Sequence, residues 1–240
     1  MRRALSDEDC VRHATAIRLL TMNVLILGAT GMVGQGVLRE CLLDGGVSRV
    51  LTLGRTPTGQ ANQKLREIVH ADLLHLAPIE DQLVGLDACF YCLGASAAGL
   101  NEQEYTRINY EMTLAVAETL VRLDPDMVFV YVSGTGTDST ERGRSMWARV
   151  KGRTENALLR LPFRAAYMLR PGLIIPMHGV KSKTRLYRAF YTVLGPLLPA
   201  LKALFPRSVI TTEQLGRVML RLARSGYSKN VLEMADLAIL

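Results

Sequence analysis

The sequence predicts an α/β protein built on a doubly wound parallel sheet and followed by a small C-terminal region. Three observations predict this fold. A glycine turn at residues 28–34 joins an apolar strand to a helix, short apolar runs alternate with helical patterns up to residue 170, and five prolines break the pattern after it. Strands that are apolar on both faces are typical of a parallel sheet covered by helices on both sides.

The glycine turn is the strongest of these observations. It reads Gly28-Ala29-Thr30-Gly31-Met32-Val33-Gly34 and follows the apolar run Met22–Leu27. Glycine at every third position lets the backbone turn sharply and approach a ligand closely, and the N–H groups at the start of the helix attract phosphate. The turn therefore predicts a Rossmann fold that binds a dinucleotide pyrophosphate. The residues expected to contact it are Gly28, Thr30, Gly31, Met32, Val33 and Gly34.

The other elements follow in order along the chain. Further strands are predicted at Val47–Leu53, Glu67–Val69, Ala88–Leu93, Met127–Val132, Ala165–Leu169 and Val231–Met234. Helices are predicted at Glu102–Leu123, Met146–Leu161 and Thr212–Ala223. The proline-broken segment after residue 170 is expected to lie over the carboxyl ends of the strands, because ligands bind there in open α/β sheets.

The chain divides into an N-terminal extension at 1–21, a nucleotide-binding core at 22–170, and a substrate or lid region at 171–240 packed on the same domain. The extension contains Asp7, Glu8 and Asp9 and has no uninterrupted apolar run, which excludes a secretory signal and a membrane span. We expect it to be poorly ordered or to dock as a loose helix, and Met22 is a second candidate for the natural start. A cytoplasmic protein is expected.

Composition limits the classes of partner and ligand. The 240 residues carry a formal charge of +7, but the basic residues are scattered and match no nucleic-acid-binding motif, so no nucleic-acid partner is expected. The four cysteines and four histidines lack the spacing of metal ligands, so no metal site is predicted. An anionic cofactor or a membrane surface explains the charge better.

The end of the second strand indicates which dinucleotide binds. An acid at this position would bind the ribose hydroxyls of NAD, but the chain has Leu53-Gly54-Arg55, and Arg55 suits the 2′-phosphate of NADP. NADP is therefore favoured over NAD, although Arg55 could also be a solvated turn residue. After the third strand, Asp72 is placed to accept from the adenine amino group while Leu73 packs on the ring, and a helix N-cap is the alternative role of Asp72.

The chain resembles the extended and atypical branch of the short-chain dehydrogenases/reductases. The resemblance extends from Met22 to the C-terminus, and within that branch the chain is most similar to the small NAD(P)-binding epimerase-like and Tat-interacting-oxidoreductase-like proteins. It depends on the glycine turn together with Asp72-Leu73, Leu93-Gly94, Asn109, Ser133, Lys151 and Arg170-Pro171-Gly172. It implies that Leu93 and Gly94 pass beside the cofactor, that Ser133 orients a substrate carbonyl, and that Lys151 holds the nicotinamide ribose and assists catalysis.

One residue departs from the family pattern. The family has its catalytic tyrosine four residues before the lysine, and this chain has Trp147 there. An indole N–H donates a hydrogen bond but does not exchange a proton near neutral pH, so the usual proton donor is missing. Tyr110 and His178 are alternative acids. Two functions remain open: an NADP-dependent oxidoreductase acting on a small or lipophilic carbonyl, and a non-catalytic NADP(H)-binding sensor or scaffold that has no substrate.

A proline-broken apolar tract lies near the C-terminus. Residues 186–206 are flanked by lysines and arginines, which favours either peripheral contact with an anionic membrane or a lid over the substrate pocket. The tract is too short and too interrupted to span a bilayer. A homo-oligomer formed through this tract is a further alternative.

Overall fold

The computed structural model describes residues 21–180 and 208–240, and it confirms the predicted doubly wound fold. Seven parallel strands form one sheet in the order β3-β2-β1-β4-β5-β6-β9. The strands of this sheet are β1 (Met22–Leu27), β2 (Val47–Gly54), β3 (Leu65–Val69), β4 (Ala88–Tyr91), β5 (Val128–Val132), β6 (Ala165–Leu169) and β9 (Val231–Leu232). The order reverses between β1 and β4, and this switch point is where ligands bind in such sheets.

Successive side chains of each strand point to opposite faces of the sheet, which produces two hydrophobic cores. Val24 and Ile26 of β1 pack in one core, whereas Leu25 and Leu27 pack in the other. The same alternation separates Cys89 from Cys92, and both have free thiols. Strands that are buried on both faces explain why the apolar runs in the sequence are nearly continuous.

Helices cover both faces. The described helices are α1 (Met32–Leu43), α2 (Glu102–Thr106), α3 (Met112–Leu123), α4 (Met146–Leu158), α5 (Thr212–Ser225) and α6 (Met234–Leu237), with a 3₁₀ helix at Ala77–Gln82. Helices α1 and α5 pack in the first core, and α3 and the end of α4 pack in the second. Where Gly36 of α1 meets Thr212 of α5, a Cβ on the glycine would lie 2.5 Å from the threonine Cβ, so a larger residue does not fit there.

The long helix predicted at Glu102–Leu123 is interrupted. A π-helical turn spans Arg107–Glu111 and separates α2 from α3. The carbonyl oxygen of Asn109, inside this turn, accepts a hydrogen bond from the hydroxyl of Thr113 at 2.9 Å. The hydroxyl of Thr154 lies 3.1 Å from the same oxygen, but its single proton has a shorter acceptor in the carbonyl of Val150 at 2.8 Å. The Thr113 hydroxyl therefore compensates the carbonyl where the regular helical ladder is broken.

The structure also contains a strand pair that the sequence did not predict. Strands β7 (Leu173–Ile175) and β8 (Val209–Thr211) form a separate two-stranded parallel sheet. After this strand pair, α5 packs in the first core and β9 pairs with β6 in the main sheet. Much of the predicted lid region therefore belongs to the core of the domain. In the described ranges no helix is long and apolar enough to cross a membrane. The expectations for residues 1–20 and for the tract at 186–206 lie outside the described residues.

Candidate functional site

The glycine turn lies at the switch point and is packed too tightly for side chains. Gly28 has a φ of +78°, and a Cβ on it would lie 2.7 Å from the backbone of Cys92 and Leu93. A Cβ on Gly34 would lie 2.1 Å from the carbonyl oxygen of Gly28, and the N–H of Gly31 donates to that oxygen at 2.8 Å. The glycines therefore bring β1, α1 and the end of β4 together at one point.

The N-terminus of α1 is open to an anion. Gly31 is its N-cap and supplies no side-chain hydrogen bond, and the first turn has no acidic residue. The N–H groups at the start of this helix thus have no capping side chain, and the helix dipole adds positive potential there. This arrangement suits a pyrophosphate, as the sequence predicted.

A cavity of about 240 Å³ lies beside the turn, next to the loop that follows β2. Its walls are formed by Ala29, Thr30, Gln35, Pro57, Thr58 and Gln60. Arg55 is exposed at the start of this loop and forms no ion pair with any residue in the described ranges. The nearby carboxylate of Glu67 accepts from the N–H of Thr58 at 2.7 Å, so it holds the loop in place. The guanidinium of Arg55 is consequently available to a phosphate.

Asp72 and Leu73 are placed differently from the sequence prediction. One carboxylate oxygen of Asp72 accepts from the N–H of Leu74 at 3.0 Å, and the other bonds to Nδ1 of His75 at 2.8 Å. The hydrogen bond from His75 lowers the pKa of Asp72. Leu73 is 4% exposed and packs in the second core, so its side chain does not offer a face to an adenine ring. Only the backbone of Leu73 remains for a nucleotide contact.

Gly94 and Asn109 form the next part of the site. A Cβ on Gly94 would lie 3.3 Å from Oδ1 of Asn109, and that oxygen accepts from the N–H of Ala95 at 3.3 Å. The Asn109 amide donates to the carbonyl of Tyr105 at 3.1 Å. The buried Asn109 therefore ties the loop that follows β4, including Leu93 and Gly94, to the π-helical turn.

Ser133 follows β5 and is oriented by two bonds. Its N–H donates to the carbonyl of Leu169 at 2.7 Å, and its hydroxyl lies 2.8 Å from that of Thr137. Because Thr137 gives its single proton to the carbonyl of Gly134 at 2.8 Å, the Ser133 hydroxyl is the donor to Thr137. The lone pairs of Ser133 are then free, and the pair must reorganise before Ser133 donates to a carbonyl.

Lys151 lies close to Ser133. Its ammonium is 3.4 Å from the hydroxyl of Tyr131 and 3.4 Å from the carbonyl of Val132, the residue before Ser133. Burial lowers the pKa of Lys151 to about 8, while the charge of Glu155 acts in the opposite direction. A lysine with this pKa exchanges protons readily near neutral pH.

Helix α4 holds Trp147 and Lys151 against the loop that follows β5. A Cβ on Gly152 would lie 1.8 Å from the carbonyl oxygen of Asp138, so only glycine allows this contact. The N–H of Asp138 donates to the carbonyl of Ala148 at 3.1 Å. The sequence analysis missed Gly152, although a glycine inside a helix that also carries Lys151 is a signal of close packing.

A second cavity, of about 320 Å³, lies next to Trp147. It is lined by Ala95, Ser96, Ala97, Ala98, Tyr105 and Trp147. The loop at Gly136 also packs near the indole, since a Cβ there would lie 3.4 Å from the ring. Trp147 therefore forms a wall of this cavity. The sequence analysis did not identify Tyr105, which lies one helical turn before Asn109.

Arg170 fixes the far end of α4. Its guanidinium bonds to the carboxylate of Glu155 through Nε at 3.1 Å and Nη2 at 2.5 Å, and to Glu233 at 2.9 Å. The Glu155 side chain is 1% exposed, so this ion pair is buried, and the bonds to Glu155 raise the pKa of Arg170. The pair joins α4 to the end of β6.

The two alternative acids have other partners. The guanidinium of Arg153 lies over the ring of Tyr110, 4.1 Å from its centroid. Nε2 of His178 is 2.6 Å from the carboxylate of Glu213, on α5. Neither residue lines the cavity beside Trp147. In the described ranges no group of histidines, cysteines and acids is arranged to hold a metal ion.

The fold and the glycine turn define the class as a Rossmann-type nucleotide-binding protein. The model of the NAD dependent epimerase/dehydratase family matches residues 24–142. A relative from Emericella nidulans, named protein fmp52, mitochondrial, is 30% identical over 191 residues, which cover 75% of this chain and 79% of the relative. The corresponding protein of Aspergillus niger is 29% identical over 197 residues, with the same coverage. The chain thus belongs to the family of the fmp52 proteins.

Solved structures agree with the fold. A short chain dehydrogenase family protein from Francisella tularensis is 15% identical, with a TM-score of 0.62, over 91% of this chain and 99% of that one. WbmF from Bordetella bronchiseptica, solved in complex with NAD⁺, is 16% identical, with a TM-score of 0.65, over 92% of this chain and 78% of that one.

The names of the relatives correct the expected location. They are called mitochondrial, so the expectation of a cytoplasmic protein is wrong and the relatives point to mitochondria instead. The expectation relied on the lack of a secretory signal and of a membrane span in residues 1–21. Neither observation distinguishes the cytosol from the interior of a mitochondrion.

Proposed function

We propose that the protein is an NADP-dependent oxidoreductase acting on a small or lipophilic carbonyl compound. The observation that carries this proposal is that the candidate phosphate, cofactor and substrate positions follow one another along one edge of the sheet. An uncapped helix N-terminus with its glycine turn lies at the switch point, and the loop after β4 leads from there to a cavity beside Trp147. Ser133 and Lys151 lie on neighbouring elements.

The residues present fit a dinucleotide. Glycines whose Cβ atoms would collide with backbone form the cradle, and the free N–H groups of α1 would bind the pyrophosphate. Arg55 would bind the 2′-phosphate, Leu93 and Gly94 would pass beside the nicotinamide half, and Lys151 would hold its ribose. When bound, the cofactor supplies the hydride. The carboxylate of Asp72 would reach the adenine amino group only in competition with His75.

The chain itself would position and polarise the substrate. Ser133 would donate to the carbonyl oxygen after its bond to Thr137 reorganises, and the cationic form of Lys151 would stabilise the negative charge that develops there. The indole and the alanines of the cavity would exclude water from the reacting atoms.

The preference for NADP is tested by Arg55→Ala. Removing a guanidinium that binds a phosphate should weaken NADPH binding about tenfold or more, while NADH binding stays constant. Fluorescence titration of both cofactors measures this. Arg66→Ala is the matched control, because among the described residues Arg66 bonds only to nearby backbone carbonyls. Equal affinity of the wild type for NADPH and NADH would refute the role of Arg55.

Trp147 favours a second candidate function, a non-catalytic NADP(H)-binding sensor or scaffold. It stands where the family pattern has its tyrosine, and it forms one wall of the cavity. A panel of aldehydes and ketones with NADPH separates the two functions. No turnover by the wild type, together with activity gained in Trp147→Tyr, would favour the sensor.

The tract at 186–206 is proposed to contact anionic lipid, because basic residues flank an apolar run. Co-sedimentation with liposomes, with and without the tract, tests this proposal. Binding that does not depend on the tract would refute it. Gel filtration of the same two proteins would show whether the tract forms a homo-oligomer.

A further inference from the structure

The cavity beside Trp147 contains a phenol that the proposed function does not yet use. Tyr105, near the end of α2, is 2% exposed and lines this cavity. Its backbone carbonyl accepts from Asn109, which fixes its position, but within residues 21–180 and 208–240 its hydroxyl has no hydrogen-bond partner. A phenol that meets a cavity without a partner is available to a ligand.

The hydroxyl of Tyr105 has electrostatic neighbours but no bonded ones among the described residues. Burial raises the pKa of Tyr131, and the phenols of Tyr91 and Tyr105 raise it further. The hydroxyl of Tyr131 is 3.4 Å from the ammonium of Lys151. Because the Tyr105 hydroxyl bonds to neither group in the described ranges, it is left to exchange its proton with molecules that enter the cavity.

We propose that the hydroxyl of Tyr105 is the proton donor to the substrate carbonyl, in place of the tyrosine that Trp147 replaces, and that water entering the cavity restores its proton. This inference rests on the proposed oxidoreductase function. Trp147 then serves as a wall of the substrate cavity. In this proposal the phenol that donates the proton is carried by α2, whereas the family pattern has it on α4; residues of both helices line the same cavity.

The chemistry balances as a carbonyl reduction. The carbonyl carbon takes a hydride from the reduced dinucleotide, the C=O π electrons move to oxygen, and that oxygen takes the proton of Tyr105 to give an alcohol and the oxidised dinucleotide. The Tyr105 phenolate then takes a proton from a water molecule that enters the cavity, and the hydroxide leaves to the solvent. Burial raises the pKa of Tyr105 to about 12, so the phenol is fully protonated at neutral pH before the reaction.

The cavity indicates the substrate class. Three alanines, Ser96, Tyr105 and Trp147 line a space of about 320 Å³, which is at the small end of ligand pockets. Ser96, the Tyr105 hydroxyl and the indole N–H of Trp147 are polar side-chain groups among these residues. The volume favours a compact aldehyde or ketone.

The test uses the single tryptophan of the chain, Trp147, as a fluorescent reporter of the cavity. The probe is N-cyclohexylformamide, which accepts a hydrogen bond like an aldehyde but is not reduced. The NADPH complex of Tyr105→Phe should bind this probe about tenfold more weakly than the wild-type complex does, because one hydrogen bond is lost. The variant should bind NADPH itself as the wild type does. Turnover of cyclohexanecarboxaldehyde should fall about a hundredfold or more. Tyr110→Phe, on the adjacent π-helical turn, is the matched control and should change neither value.

The outcomes separate this inference from the function on which it rests. A Tyr105→Phe variant that binds the formamide and reduces the aldehyde like the wild type would overturn the role of Tyr105 and leave the proposed function intact. A wild type that binds no NADPH or NADH, or that binds them and reduces no aldehyde, would overturn the proposed function and this inference together.

Folding of the variant is checked by thermal unfolding. Because the hydroxyl of Tyr105 has no described partner, its removal should leave the melting temperature almost unchanged. If Tyr105→Phe does not fold, Tyr105→His supplies a second measurement, since histidine is a proton donor with a pKa near 6.5. Turnover should then fall above about pH 7, and a pH profile identical to that of the wild type would overturn the inference. Tyr131 is a titratable group that lies near enough to Tyr105 for an electrostatic interaction.

Discussion

Replacing Gly152 with alanine should disturb both stability and the site, because of one contact. The added Cβ would lie 1.8 Å from the carbonyl oxygen and 2.5 Å from the carbonyl carbon of Asp138. Both are backbone atoms, so no side-chain rotation can relieve the collision. The loop at 133–139 must therefore move away from α4 by about 1 Å, which costs about 1–3 kcal/mol of folding free energy.

The same displacement should also lower the turnover rate. Ser133 begins this loop and Lys151 precedes Gly152 on α4, so the distance between their functional groups would increase. A misplacement of about 1 Å lowers turnover roughly a hundredfold, while NADPH binding at the distant glycine turn should stay within about twofold of the wild type. Gly152→Ala is thus expected to lower kcat and leave the affinity for NADPH unchanged.

Urea unfolding, NADPH titration and carbonyl turnover measure these effects. Gly45→Ala is the matched control, because a Cβ on Gly45 has no atom within 4 Å and the residue does not have a positive φ. If Gly152→Ala is as stable as the control, to within about 0.5 kcal/mol, the contact with Asp138 does not constrain α4 and the reasoning is refuted.

Three further predictions use other contacts. Gly34→Ala should weaken NADPH binding about tenfold or more in a titration, because its Cβ would lie 2.1 Å from the Gly28 carbonyl oxygen; unchanged binding would contradict the predicted cradle. Arg170→Met should cost about 3–5 kcal/mol in urea unfolding, because it leaves the buried Glu155 charge uncompensated; a loss below about 1 kcal/mol would show that the pair is dispensable. The pKa of Lys151 is lowered to about 8 in the folded state, so the unfolded chain binds more protons between about pH 8 and 10 and stability should rise with pH across that window. Lys151→Met should remove that rise, and an equal rise in the variant would assign it to another group.

The sequence predicted the elements around the glycine turn well, because they are local. The strand, the glycine turn and α1 are adjacent in the chain, so periodicity and glycine spacing were enough to identify them. The alternation of Val24 and Leu25 between two cores follows from the same short-range pattern. Leu73 was misjudged because its neighbours in the second core come from distant parts of the chain.

The substrate half depends on contacts between distant residues, and these the sequence did not reveal. Gly152 meets Asp138 across a loop, and the pairing of β7 with β8 joins three-residue strands that are too short to show a pattern. Tyr105 was missed for another reason. Its proposed role depends on the cavity that it shares with Trp147, and the sequence does not show that these two residues line the same cavity.

The small sheet of β7 and β8 has a consequence for how this chain can evolve. Ile175 pairs with Thr211, and the N–H of Met177 donates to the hydroxyl of Thr212 at 3.1 Å, so the chain leaves and returns at neighbouring points. Whatever length or sequence is inserted between those points, the entry and exit stay joined. Selection is thus free to exchange the intervening segment while the strand pair that holds its two ends is inherited unaltered.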